Sequence, residues 1–128
     1  MALFRCGAGG AAINLLWTNA NPTSSYAGAT FSDIDLRDYD EIRIEYRSST
    51  SVDRKAIEGF DCASLLIDNT GQTVYNSMSL GNVVNTSVGV LYRHVTRDGN
   101  YLKIGAETSG GSAQNNYVIP TRIWGVKF

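Results

Sequence analysis

From Glu41 to Arg47 the chain alternates without a break, with Ile42, Ile44 and Tyr46 set between Glu41, Arg43, Glu45 and Arg47. A period of two sends alternate side chains to opposite faces of an extended backbone, so this segment predicts a strand with one buried and one wet face. Ala63 to Ile67 is continuously apolar instead, which predicts an inner strand. It runs into Asp68-Asn69-Thr70-Gly71, after which extended patterning resumes from Thr73 to Leu80, so the two segments are expected to form a hairpin. Further strands are expected at Ile13 to Trp17, Thr30 to Leu36 and Tyr117 to Phe128. Pro120 cannot donate a ladder hydrogen bond and should mark a sheet edge or a bulge. Ser51 to Phe60 holds too few apolar positions for more than one short turn of helix.

Val88 to Thr96 and Asn100 to Glu107 predict a second hairpin around Asp98-Gly99. Face parity selects its register. A two-residue loop would set Arg93 opposite Ile104 on the apolar face. A three-residue loop, Arg97-Asp98-Gly99, sets Arg93 across from Lys103 and aligns Val88, Val90 and Tyr92 with Leu102, Ile104 and Ala106. The second register is therefore expected, with Gly99 in a left-handed conformation. Seven or eight such strands at regular spacing predict an all-β fold, a single-domain antiparallel β-sandwich of jelly-roll type over residues 13–128. Residues 1–12 form a flexible leading segment or a first edge strand. The Gly-, Ser- and Asn-rich stretches Asn19 to Gly28 and Thr108 to Asn116 become loops at the ends of the sandwich, where binding functions gather.

Charge narrows the partners. Lys plus Arg number 11 against 12 Asp plus Glu in 128 residues, and no basic stretch stands out, so nucleic acid is not an expected partner. No apolar run approaches the roughly 20 residues of a spanning helix, so membrane insertion is not expected either. The opening Met1 to Cys6 lacks the basic and long apolar segments of a secretory signal, which predicts a product made and held in the cytosol until release. Cys6 and Cys62 lack metal or redox spacing and are expected as free thiols, Cys62 buried as a small hydrophobe.

Candidate chemistry is sparse. His94 is the single histidine, which leaves a zinc site or a serine hydrolase triad without partners. Asp33, Asp35, Asp38 and Asp40 lack the glycine and closing glutamate of a calcium loop, and are expected on a solvent face and at turns. Glu41, Glu45, Asp61 and Glu107 are the carboxylates that a glycoside hydrolase groove would have to use. Gly7-Ala8-Gly9-Gly10 is followed by no strand-to-helix unit that would make it a phosphate loop. Asn85-Thr86-Ser87 matches a glycosylation acceptor in letters only. No cofactor, metal or catalytic residue is expected. Aromatic residues remain, most of them expected in the core. Tyr26, Tyr101 and Tyr117, in or beside loops or on a polar strand face, are the candidates for ligand binding at the surface.

Three segments carry a resemblance: Leu15-Leu16-Trp17-Thr18-Asn19-Ala20-Asn21-Pro22-Thr23, Leu36-Arg37-Asp38-Tyr39-Asp40-Glu41-Ile42, and Asn116-Tyr117-Val118-Ile119-Pro120-Thr121-Arg122-Ile123-Trp124-Gly125-Val126-Lys127. The chain resembles small phage or prophage proteins and the carboxy-terminal, receptor-binding tip domains of tail fibres from phages of Gram-positive hosts. That resemblance implies a non-enzymatic virion protein, a homotrimer associated with other tail proteins, that displays loops toward a host-surface glycan or protein. Two alternatives stand beside it. One is a decoration or assembly protein that binds other virion components, and the other is a carbohydrate-active enzyme.

Overall fold

A computed structural model of the chain describes residues 11–67, 76–108 and 115–128. Among these residues eight strands form two four-stranded antiparallel sheets packed face to face, as a β-sandwich. The strands are β1 (Ala12–Thr18), β2 (Ala29–Asp35), β3 (Glu41–Ser49), β4 (Lys55–Asp61), β5 (Met78–Asn85), β6 (Gly89–Asp98), β7 (Tyr101–Thr108) and β8 (Tyr117–Lys127). The first sheet has the order β1-β8-β3-β4 and the second β2-β7-β6-β5. β1 pairs with β8 and β2 with β7, the two outer nested pairs of a jelly roll. Inside them the pairing becomes local, β3 with β4 and β5 with β6, where a complete jelly roll would join β3 to β6 and β4 to β5.

The alternation of β3 does what its period requires. Ile42 and Ile44 are fully buried and share one core with Ile123 of β8 and Leu80, Val95 and Ile104 of the second sheet, while Glu41, Arg43, Glu45 and Arg47 take the outer face. Pro120 lies in a central strand rather than at an edge, and the backbone accommodates it with a bulge. The β3·β8 register steps from Glu45↔Arg122 to Tyr46↔Pro120, and Thr121 is the extra residue. Cys62 is a buried free thiol, as its apolar surroundings in the sequence suggest.

Three expectations fail, each for a physical reason. Ser51 to Phe60 holds all but the last residue of the strand β4, whose seven residues pair with Glu41 through Arg47 of β3. It is an edge strand in which Phe60 alone is buried, so the apolar alternation that reveals an inner strand is missing. Ala63 to Ile67 is no strand. Cys62–Leu65 forms one helical turn, α1, because Asp61 caps it: the Asp61 carboxylate accepts from Ser64 N at 2.9 Å and Ser64 Oγ at 2.7 Å. Cys62 and Leu65, three residues apart, then share the face turned to the core. The hairpin expected of that segment is replaced by β5 pairing with β6, and the turn at Asp68 to Gly71 lies outside the described residues, like most of the leading segment and of the 108–116 loop.

The third failure is the β6·β7 register. Val95 faces Ile104, Thr96 faces Lys103, and Asp98 faces Tyr101, which leaves Gly99 and Asn100 as the turn. Gly99 is left-handed, with φ of 60°, but the loop has two residues instead of the expected three, and it sits one residue later than the two-residue alternative around Asp98-Gly99, so neither register weighed from the sequence is adopted. Leu91, Arg93 and Val95 point inward, and Val90, expected inside, is 48% exposed. Face parity predicts the wrong register because an arginine ordinarily avoids the apolar face. Here the buried guanidinium is met by carbonyls. Nε donates to Val118 at 2.6 Å, Nη1 to Gly105 at 3.0 Å and Nη2 to Tyr117 at 3.1 Å. Arg93 also faces Glu107 in the ladder and stacks 5.1 Å from the centre of the Tyr26 ring. Burial pulls its pKa down to about 10 against the opposing fields of Glu107 and Tyr26, so it stays charged at neutral pH.

Candidate functional site

Glu45 and Arg47 lie on the outer face of the first sheet yet are only 5% and 7% exposed. The segment after β1 folds over their end of the sheet. Asn19 N donates to the Thr121 carbonyl and Asn19 Nδ2 to the Pro120 carbonyl, both at 2.8 Å, so the β8 bulge anchors that segment. On the other side Arg47 Nε donates to the Ser49 carbonyl at 2.8 Å, and Ser49 Oγ accepts from Val52 N at 3.0 Å, which closes the loop from β3 to β4. A groove of about 280 Å³ lies between, lined by Thr18 and Pro22 on one wall, Asp53 and Lys55 on the other, and Glu45, Arg47 and Arg122 on the floor.

Arg122 and Glu45 face each other across β8 and β3 and form a two-point ion pair, Nε to Oε1 at 3.0 Å and Nη2 to Oε2 at 2.9 Å. Thr121, released from the ladder by the bulge, donates its hydroxyl to Glu45 Oε1 at 2.7 Å. Trp124 is next along the same face, with the Arg122 guanidinium 5.2 Å from its ring centre. Hydrogen bonds from Arg122 hold the Glu45 carboxyl below the usual range, against the opposing effect of burial. Asp53 is likewise held low by its hydrogen bond from Lys55, at 2.9 Å. Such carboxylates stay ionised, whereas a general acid for glycoside cleavage needs a raised pKa.

The other carboxylates do not converge on this groove. Glu41 pairs with Arg43 and stands opposite Asp61, which is engaged in capping α1. Glu107 is buried between the sheets, where it accepts from Tyr117 N at 2.8 Å. His94 is exposed on the outer face of the second sheet, its Nδ1 2.9 Å from Ser77 Oγ and its ring edge-on to Tyr92. Asp35 caps the 3₁₀ turn Leu36–Asp38 and binds Arg37, while Asp40 accepts from Phe128 N. Among the described residues no three His, Cys, Asp or Glu side chains are arranged to hold a metal.

The three tyrosines singled out from the sequence are not brought together. Tyr26 is half-buried, packed against Trp17 and Arg93, and burial pushes its phenol up to about 12. Tyr117 is also half-buried, and its hydroxyl accepts from Asn85 Nδ2 at 2.7 Å. That bond, with Asn85 Oδ1 accepting from Ser87 N and Val88 N, gives Asn85 a structural task in the β5–β6 turn. Tyr101 is 40% exposed, on the outer face of the second sheet, opposite the groove. Sequence reasoning passed over Arg122 and Trp124, although their i, i+2 spacing beside Pro120 places both on one strand face. A second cleft, of about 230 Å³, opens between the edge strands β1 and β2 against Leu16, Trp17, Phe31 and Asp33. The sequence matches no protein-family model and no curated protein.

Proposed function

We propose that this chain is a non-enzymatic binding module of a phage tail or fibre tip, which adheres as a homo-oligomer to a glycan of the host surface. The observation that carries the reading is the outer-face groove, which holds a two-point Arg122–Glu45 pair and buried Arg47, with the half-buried ring of Trp124 against Arg122 just outside its lining. Sugar rings present one apolar face and a rim of hydroxyls. A flat indole next to fixed charged hydrogen-bonding groups complements both. The ionised, fully engaged state of Glu45 supports binding rather than hydrolysis. A shallow groove of this size gives weak single contacts, which several copies on one particle would convert to firm attachment.

The test is retention of the purified chain on Gram-positive cell walls, with its assembly state measured by light scattering. Trp124→Ala should reduce retention about tenfold or more, the scale of one lost stacking partner, while leaving the fold intact. Retention unchanged in Trp124→Ala sinks this reading, and a monomer at micromolar concentration sinks its oligomeric part. A decoration role is favoured by a different feature, the exposed cross-strand pair Val84 and Val90 at the tip of the β5–β6 hairpin, 69% and 48% accessible. A decoration protein would coat purified virions and ignore cell walls.

A further inference from the structure

The outer-face groove is rich in donors and poor in acceptors. Glu45 has both oxygens engaged by Arg122 and Thr121. Asn19 Oδ1 already takes Asn21 N and its Nδ2 is committed to Pro120, while Asp53 engages Lys55 through Oδ1 and keeps Oδ2 as the one carboxylate oxygen of the groove without a donor among the described residues. The guanidiniums differ. Arg47 uses Nε and Nη2 on the carbonyls of Ser49 and Thr50, and Arg122 uses Nε and Nη2 on Glu45, so Nη1 of each has no acceptor among the described residues. Lys55 engages Asp53 with one ammonium proton of three.

The charge balance points the same way. Arg47, Lys55 and Arg122 line the groove against Glu45 and Asp53, a surplus of one positive charge. Arg47 is the least compensated of the three, being 7% exposed and bonded to neutral carbonyls rather than to a carboxylate. A buried cation with unused donors is stabilised by an anion that brings acceptor oxygens, and a neutral hydroxyl serves it less well. We infer that the groove takes an anionic oxygen group, a carboxylate or phosphate carried on a glycan chain, with Arg47, Arg122 and Lys55 as donors and Trp124 beneath the adjoining sugar ring. This rests on the glycan-adhesion reading and narrows its ligand class.

Calorimetric titration of the full chain with three probes separates the possibilities: an oligogalacturonate, a poly(glycerol phosphate) and a neutral cello-oligosaccharide. At least one anionic probe should bind and the neutral one should bind at least tenfold more weakly, with an apparent Kd that rises with salt. The preferred anionic probe identifies carboxylate or phosphate as the source. Lys55→Gln should weaken the anionic complex about tenfold, the loss of one charge-assisted contact. Asp53→Asn should tighten it, a gain that a merely structural groove would not produce. Equal binding of neutral and anionic probes, or an unchanged affinity in both variants, overturns the inference. Retention on cell walls without binding of either anionic probe overturns it alone, whereas absence of retention on walls removes the adhesion reading as well.

Discussion

Replacing Arg93 by methionine would keep most of the side-chain volume and remove the charge from the middle of the sandwich. Three carbonyls, those of Val118, Gly105 and Tyr117, would lose their donor, and Glu107 would lose the cation it faces in the ladder. Leaving three buried carbonyls without their donor costs about 3–5 kcal/mol, at roughly 1–2 kcal/mol for each. The backbone is strained at the same point. Val118 is a fully buried, β-branched residue with φ of 49°, a conformation that costs about 1–2 kcal/mol, and the Arg93 bond to its carbonyl helps to hold it there. We therefore expect Arg93→Met to lose about 3–5 kcal/mol in urea unfolding followed by tryptophan fluorescence, and to melt roughly 10–20 °C lower by calorimetry. Adding Glu107→Gln keeps an acceptor for Tyr117 N while replacing the carboxyl that Arg93 faced by a neutral amide, so the double variant should recover about 1–2 kcal/mol relative to Arg93→Met. A loss below about 1 kcal/mol in the single variant, or no recovery in the double, would refute the inward placement of a charged Arg93.

Two other expectations concern packing and pH. Gly125→Ala would drive its new methyl group into the Tyr39 ring, so it should destabilise the domain by about 1–3 kcal/mol and raise the acrylamide or iodine accessibility of Tyr39; wild-type stability would show that the ring does not rest on Gly125. Glu45, Asp35, Asp53 and Asp61 are all held below their ordinary pKa by hydrogen bonds, so the stability they contribute is complete above the ordinary carboxylate range and lost as pH falls through their lowered values. Unfolding free energy should stay level from about pH 7 to 5 and fall below about pH 4, less steeply in Glu45→Gln, and an identical acid slope in that variant would mean that the Arg122 pair does not form in solution.

The sandwich could be read from the chain wherever one face of a strand is buried and the other wet, as β3 shows. It could not be read where burial is one-sided for another reason. β4 is an edge strand with Ile57 turned outward at 56% exposure, so nothing in its order of residues distinguishes it from a polar turn. Ala63 to Ile67 has apolar residues without a period, and the decision between helix and strand rested on Asp61 outside the run. Arg93 misled for a deeper reason. Its partners come from β7 and β8, between 12 and 25 residues further on, and no local pattern announces a carbonyl cluster assembled by tertiary folding. The groove has the same origin, since Thr18, Glu45, Lys55 and Arg122 come from four strands of one sheet. The tyrosines were chosen for lying near loops, yet Tyr26 and Tyr117 serve the interior, while the outer-face tryptophan lay in a strand expected to feed the core.

The pairing of β1 with β8 has a mechanical consequence. Ala12 stands beside Lys127 at one end of this ladder, and Thr18 stands beside Arg122 at the other, about 20 Å away along the strand. A particle that pulls on residue 12 while Arg122 is gripped in the groove would load β1 along its own axis. The rungs between the two strands would then share the tension together instead of opening one after another, so a ladder loaded in this direction would withstand far more force than one peeled from its tip.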